Sequence, residues 1–290
     1  MKYRIVHRTT YDYSEPVTVS HHAARVTPRT LGQQERLDFD LRISPEPPAR
    51  KLRTDYFGNE VCFFSIQALH QRLEVTAESL VTVAATTPPA TLLSPPWEQV
   101  VTLFSDPVSP TVAEPYQFCF DSPCVPAMRE LADYARPSFA AGTPLLHAVA
   151  DLNRRIHADF TYDPVATTVA TPLAEVIVHR RGVCQDFAHL GIAVLRSLGL
   201  PARYVSGYLR TRPPEGRERL VGADASHAWF SAFCPDLGWV DFDPTNNVLP
   251  ADEHITVAYG RDFGDVSPLS GILTGGGEHV VSVSVDVAPV

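Results

Sequence analysis

The sequence predicts an α+β fold in which an N-terminal antiparallel β-sandwich-like domain precedes a core built from a cysteine-bearing helix packed on an antiparallel sheet. Three patterns predict it. Leu37, Phe39, Leu41 and Ile43 alternate with Arg36, Asp38, Asp40 and Arg42, the period of a strand with one buried and one wet face. Val183, Phe187, Leu190, Gly191, Val194, Leu195 and Leu198 recur at helical spacing before Gly199, so a helix there buries one stripe. Residues 226–234 and 238–242 read as strands joined by a short turn, and such a connection makes them pair antiparallel.

Taken in order, residues 1–85 form the N-terminal β domain, with strands expected at 2–11, 22–27, 36–43, 51–55, 61–68 and 73–84 and a tight turn at Phe57-Gly58-Asn59. Regular short strands with turn chemistry between them suit a sandwich or open barrel. The doublet His21-His22 lacks Cys or carboxylate company and reads as structural. Residues 86–125 carry Pro88, Pro89, Pro95, Pro96, Pro107, Pro110, Pro115 and Pro123, which predicts a connector lying extended over the surface. Residues 126–290 form the core. Helices are expected at 126–135, from Thr143 as N-cap with Pro144 at the first helical position, at 172–179, and from Cys184. Strands follow at 202–210, 226–234 and 238–242, a solvated hairpin loop at 212–222, and a C-terminal strand at 279–287.

Composition narrows the function. The chain has 290 residues, 44% of them hydrophobic, enough for an ordinary packed core. A net charge of -9 argues against nucleic acid or an anionic membrane as partner. The N-terminus shows no signal-like apolar run and no segment reaches the ~18 apolar residues of a membrane span, so a cytoplasmic protein is expected. The cysteines Cys62, Cys119, Cys124, Cys184 and Cys234 are scattered and odd in number, which suits reduced thiols. Cys119 and Cys124 are the only close pair, too few ligands for a zinc site. No phosphate loop or dinucleotide fingerprint appears, and no cofactor is implied.

Chemistry concentrates at Cys184. A thiol at a helix N-terminus feels unsatisfied N–H groups and the positive dipole end, which favour a nucleophilic thiolate. Such a nucleophile needs a base, and the base needs a third group to orient it. His227 opens one predicted strand and Asp243 leaves its partner, so antiparallel pairing brings them within reach of each other. Asp241 competes with Asp243 for the third role, and Asp186 with His189 reads as a structural i, i+3 pair.

Gly182-Val183-Cys184-Gln185-Asp186-Phe187-Ala188, Gly199-Leu200-Pro201-Ala202-Arg203-Tyr204-Val205-Ser206-Gly207-Tyr208, His227-Ala228-Trp229 and Gly238-Trp239-Val240-Asp241-Phe242-Asp243-Pro244-Thr245-Asn246 together resemble the transglutaminase-like superfamily, in its bacterial branch. The first 85 or so residues resemble the β module that precedes that core. Tyr259-Gly260-Arg261-Asp262 and Gly275-Gly276-Gly277-Glu278-His279 resemble its tail. The resemblance implies a papain-like, transglutaminase-like core with Cys184, His227 and Asp243 as catalytic triad, and it ranks Asp243 above Asp241.

The function implied is a cysteine-nucleophile acyl transfer on amide bonds of a peptide or protein substrate, as in a cysteine protease. The alternatives are a protein-glutamine transglutaminase or amidase using the same triad, and a non-catalytic binding module. Gln185 stands where the animal cross-linking enzymes carry Trp, and no acidic cluster suits calcium, so calcium-activated cross-linking is not implied. Acetyl transfer to arylamines would need a coenzyme A pocket that the sequence does not display. The oxyanion would meet the backbone N–H of Cys184 and a side chain, with Gln185 and Tyr162 as candidates.

Overall fold

The computed structural model describes residues 1–85, 93–105, 110–211 and 225–290. The N-terminal strands are β1 (Lys2–Ala24), β2 (Gln34–Ser44), β3 (Arg50–Thr54), β4 (Glu60–Ile66) and β5 (His70–Val83). Helices α1 (Trp97–Ser105), α2 (Pro110–Tyr116), α3 (Leu131–Ala135) and α4 (Leu145–Asp159) follow, then β6 (Thr161–Tyr162), α5 (Leu173–His179), β7 (Arg181–Gly182) and α6 (Cys184–Ser197). The chain continues through β8 (Ala202–Leu209), β9 (Ala225–Cys234), β10 (Gly238–Phe242), β11 (His254–Gly260), α7 (Phe263–Val266), β12 (Leu269–Gly275) and β13 (His279–Pro289).

The spine of the N-terminal sheet is β1. Sequence patterning predicts separate strands at 2–11 and 22–27, whereas the structure joins them into one 23-residue strand with an irregularity between Asp12 and Val17. Its first part pairs with β5 and β13, its second with β4 and β12, while β2 and β3 extend the sheet outside β5 and β4. Leu41, Ile43, Phe64, Ile66, Leu73 and Val75 bury themselves between the parts in one cluster, which gives the module its sandwich-like character.

Two expectations about chain organisation change. The C-terminal strand was expected within the 126–290 unit, yet β12 and β13 pair with β1 and complete the N-terminal sheet. An edge left open along β1 would expose unpaired N–H and C=O groups, and the returning chain satisfies them. The 86–125 connector is not simply extended: α1 buries Val100 and Phe104, because Trp97, Val100, Val101 and Phe104 hold helical spacing after the Pro95-Pro96 entry. The hairpin loop expected at 212–222 lies outside the described residues.

The core sheet has the order β10-β9-β8-β11 and is antiparallel throughout. One face, with Ala228, Phe230, Ala232 and Phe242, packs on α6. The other carries Trp229 and Val205 against Tyr259. Helix α6 is buried nearly all round, from Gln185 through Leu195, rather than along the single stripe its periodicity suggests. Helix α4 presents Leu145, Val149, Leu152 and Ile156 inward. Its cap differs from the expectation: Pro144 is the N-cap, and the orphan N–H of Leu146 donates to Ser94 Oγ at 2.9 Å, a distant side chain doing what Thr143 was expected to do. No helix among the described residues is long and apolar enough to cross a membrane.

Two buried amides dock the sheets together. Gln34 accepts from Thr256 N–H at 2.8 Å and donates to Thr256 O at 2.8 Å. Asn59 does the same for Tyr259, at 2.9 and 2.8 Å. Strand β11 is an edge of the core sheet, so these amides stand in for a neighbouring strand and satisfy backbone groups that burial would otherwise leave unpaired.

Helix–sheet distance is set at Gly191, where an added Cβ would lie 2.5 Å from Phe230 Cε1. Alanine has the better helix propensity by about 1 kcal/mol, but overpacking a rigid contact costs roughly 1–3 kcal/mol. Gly191→Ala is therefore expected to be destabilised in denaturant unfolding; a midpoint equal to or above wild type would contradict this packing.

Candidate active site

Cys184 is the first residue of α6, and a local hydrogen-bond pattern fixes where that helix begins. Val183 is extended, and its N–H donates to Asp186 Oδ2 at 2.8 Å. The Thr167 hydroxyl donates to the same oxygen at 2.7 Å. The carboxylate folds back so closely that a Cβ at Gly182 would meet Asp186 Oδ2 at 2.6 Å, so glycine two residues before the cysteine is a steric requirement. Burial raises the Asp186 carboxyl, with the donors from Thr167 and Val183 pulling the other way. The expected Asp186–His189 pair does not form. His189 instead accepts from the Phe263 N–H at 3.1 Å, and burial pushes its imidazole down to about 4.

The β9–β10 register places Phe242 opposite Phe230, so Asp243 leaves β10 beside the start of β9. There His227 Nε2 meets Asp243 Oδ2 at 2.8 Å. Burial alone would lower the His227 pKa, but hydrogen bonds to Asp243 and to the Cys184 side chain, with the charge of both, raise it to about 10. With Nε2 engaged by the carboxylate, Nδ1 is the ring nitrogen left for sulfur. The three residues singled out from sequence therefore come together at one rim.

Asp243 is fully buried and heavily bonded. Oδ2 also accepts from Asn246 Nδ2 at 2.7 Å and His254 Nε2 at 3.0 Å, while Oδ1 accepts from the N–H groups of Thr245 at 2.9 Å and Asn246 at 3.2 Å. Burial pushes the Asp243 carboxyl up, but donation from His227, His254 and Asn246 outweighs it and holds the group well below the usual carboxylate range. Asp241 is otherwise engaged: it accepts from Trp229 Nε1 at 3.0 Å and bonds the Ser231 hydroxyl.

His254 is the residue that sequence reasoning missed, since one histidine at a strand start carries no local signature. Asn246 lies inside the Asp243-Pro244-Thr245-Asn246 motif, and its amide was the readable signal. Ligand atoms of His227, Asp243 and His254 lie within 4.8 Å of one another, the one grouping among the described residues that could hold a metal ion. Direct bonds from both imidazoles to Asp243 Oδ2 already satisfy those atoms.

Cys184 and His227 open into a cleft of about 560 Å³ between the core and the N-terminal sheet. Gln185 lines it, with only a 3.5 Å contact from Nε2 to Val169 O. Tyr162 is half exposed beside Cys184, and burial with the nearby sulfur charge raises its hydroxyl pKa. His7, Thr9 and Tyr11 of β1 and Val281 and Val283 of β13 form the opposing wall.

Folding raises His227 from its ordinary 6.5 to about 10. The stabilisation it carries is thus fully present below about 6.5 and lost as pH climbs toward 10. Asp243, lowered by folding, behaves inversely: its stabilisation is present above its ordinary 3.8 and lost as pH falls. Denaturant titrations from about pH 6 to about pH 10 should show wild type losing stability across that window and His227→Gln losing much less. Equal slopes would contradict the coupling.

The chain is similar to known proteins in sequence and in fold. Residues 3–82 match the family described as the bacterial transglutaminase-like N-terminal region, and residues 132–244 match the transglutaminase-like superfamily. An uncharacterized protein of Mycobacterium tuberculosis is 40% identical over 296 residues, covering 99% of this chain and 93% of that one. A protein-glutamine gamma-glutamyltransferase of Pseudomonas aeruginosa is 36% identical over 128 residues, 38% of this chain and 19% of that protein. In fold, the chain is similar to the crystal structure of a "putative cysteine protease" from Cytophaga hutchinsonii, with a TM-score of 0.76 at 22% identity, covering 99% and 90% of the two chains. With both regions matched and a relative alike along nearly its whole length, the chain belongs to the transglutaminase-like superfamily, with the bacterial N-terminal region in front of the core.

Proposed function

We propose that the protein is a cysteine acyl-transfer enzyme that hydrolyses amide bonds of peptides or proteins. The observation that carries this reading is the His227–Asp243 bond of 2.8 Å on an imidazole that lines the same cleft as the Cys184 thiol. The Cys184 thiolate adds to the carbonyl carbon, and the oxyanion is met by the Cys184 backbone N–H, with Gln185 or Tyr162 as side-chain donor. The His227 imidazolium gives its proton to the departing amine as the C–N bond breaks, leaving a thioester on Cys184. Water then attacks the thioester while His227 takes a proton. Collapse expels the thiolate and restores the imidazolium, and Asp243 remains a carboxylate throughout, fixing the ring.

An amine in place of water would make the same machinery a transglutaminase, the activity named for the Pseudomonas aeruginosa relative. Hydrolysis is the primary reading. Cys62, Cys119, Cys124, Cys184 and Cys234 are free, which supports a reducing, cytoplasmic setting.

With a glutamine-containing peptide, Cys184→Ala should abolish turnover, and Asp243→Asn should lower kcat by roughly 10³- to 10⁴-fold. A Cys184→Ala protein as active as wild type ends the proposal, and a wild-type protein with no turnover and an inert Cys184 thiol leaves a binding module as the reading. Product analysis with and without added amine separates hydrolysis from transfer.

A further inference from the structure

We infer that the acyl donor is an uncharged peptide segment with apolar side chains beside the reacting carbonyl, and that the β1–β13 ribbon of the N-terminal sheet reads those side chains. The inference rests on the reading of Cys184 as nucleophile and extends it to substrate class. Tyr11 pairs with Val281 and Thr9 with Val283 across the ribbon, and paired residues share one face of a sheet. That face is the wall opposite Cys184 and Gln185. Val281 is 44% and Val283 54% exposed, apolar surface left open inside a cleft. Such surface marks a place where a ligand completes the burial.

Charge points the same way. One residue in five of the chain is charged (20%), yet among the described residues lining this cleft none is Asp, Glu, Lys or Arg. His7 adds no charge near neutral pH, because burial pushes its imidazole down to about 4. An ionised side chain or phosphate brought here would lose water and meet no free counter-charge, because the one raised imidazole in the lining, His227, is already paired with Asp243. That disfavours a nucleotide-bearing acyl donor such as a coenzyme A thioester. The ribbon from Val283 to His279 spans five residues, roughly 16 Å at about 3.3 Å each. An extended peptide of similar length fits it, and Thr9, Ser206 and Ser226 in the lining can bond its backbone.

The test is equilibrium binding to the full-length Cys184→Ala protein of three peptides: acetyl-Leu-Gln-Leu-amide, acetyl-Asp-Gln-Asp-amide and acetyl-Lys-Gln-Lys-amide. The leucine peptide should bind at least about tenfold more tightly than either charged one. On the same background Val283→Asp should shift preference toward the lysine peptide and Val283→Lys toward the aspartate peptide, each by several-fold. Because Val283 is half exposed, both variants are expected to fold, and thermal unfolding checks it. Equal affinities, no binding, or an order unchanged in both variants overturns the inference. Wild-type turnover of the same peptides separates the two levels. Turnover without leucine preference sinks the inference alone, whereas leucine-selective binding without turnover sinks the chemistry of Cys184 alone.

Discussion

A buried carboxylate is the constraint on which the site depends. Asp243 has no exposure, and a lone charge there would cost several kcal/mol in lost hydration. It is stable only because His227, His254, Asn246 and the backbone of Thr245 all donate to it. Those donors come from β9, from the start of β11 and from the turn after β10, so the carboxylate ties three parts of the core together. Its charge then holds the His227 imidazolium, and that imidazolium faces the sulfur at the tip of α6. Fold stability and the geometry of the rim therefore rest on the same group.

The N-terminal sheet has a double part in this arrangement. Gln34 and Asn59 occupy the open edge of β11, the strand that begins with His254. The edge that positions the second imidazole is thus sealed by another module. The same docking brings β1 and β13 over the rim and makes the Cys184 thiol part of one wall of a cleft. His7 Nδ1 and the Tyr208 hydroxyl, 2.8 Å apart, join the two sheets inside it. Without the N-terminal sheet the core would keep its cysteine, histidine and aspartate, but would lose the surface facing them.

Sequence was most informative where chemistry depends on local order. The helical spacing from Val183 to Leu198 announces where α6 runs, and the short β9–β10 turn announces that His227 and Asp243 meet, whereas Asp186, expected to pair with His189, bonds the Val183 N–H and the Thr167 hydroxyl instead. It was least informative where partners are distant along the chain. Nothing near His254 says that it shares a carboxylate with His227, because that contact depends on where β11 lies in the sheet. The alternation within 279–287 identifies a strand, but pairing of Tyr3 with Pro289 through Tyr13 with His279 closes a loop spanning nearly the whole chain. Prolines obscured α1, although Trp97, Val100 and Phe104 held helical spacing. Gln34 and Asn59 look like ordinary polar residues until the strand edge they satisfy is known.

The most direct test of the account is to ask whether an acyl group comes to rest on one sulfur. Wild-type protein would be mixed with a 4-nitrophenyl ester of acetyl-leucine, quenched in acid and mapped by peptide mass spectrometry. The account predicts one acyl adduct, on Cys184, absent in Cys184→Ala, strongly slowed in His227→Ala and discharged by hydroxylamine as a thioester is. An acyl group on another residue, or none on a Cys184 that still reacts with iodoacetamide, would contradict it.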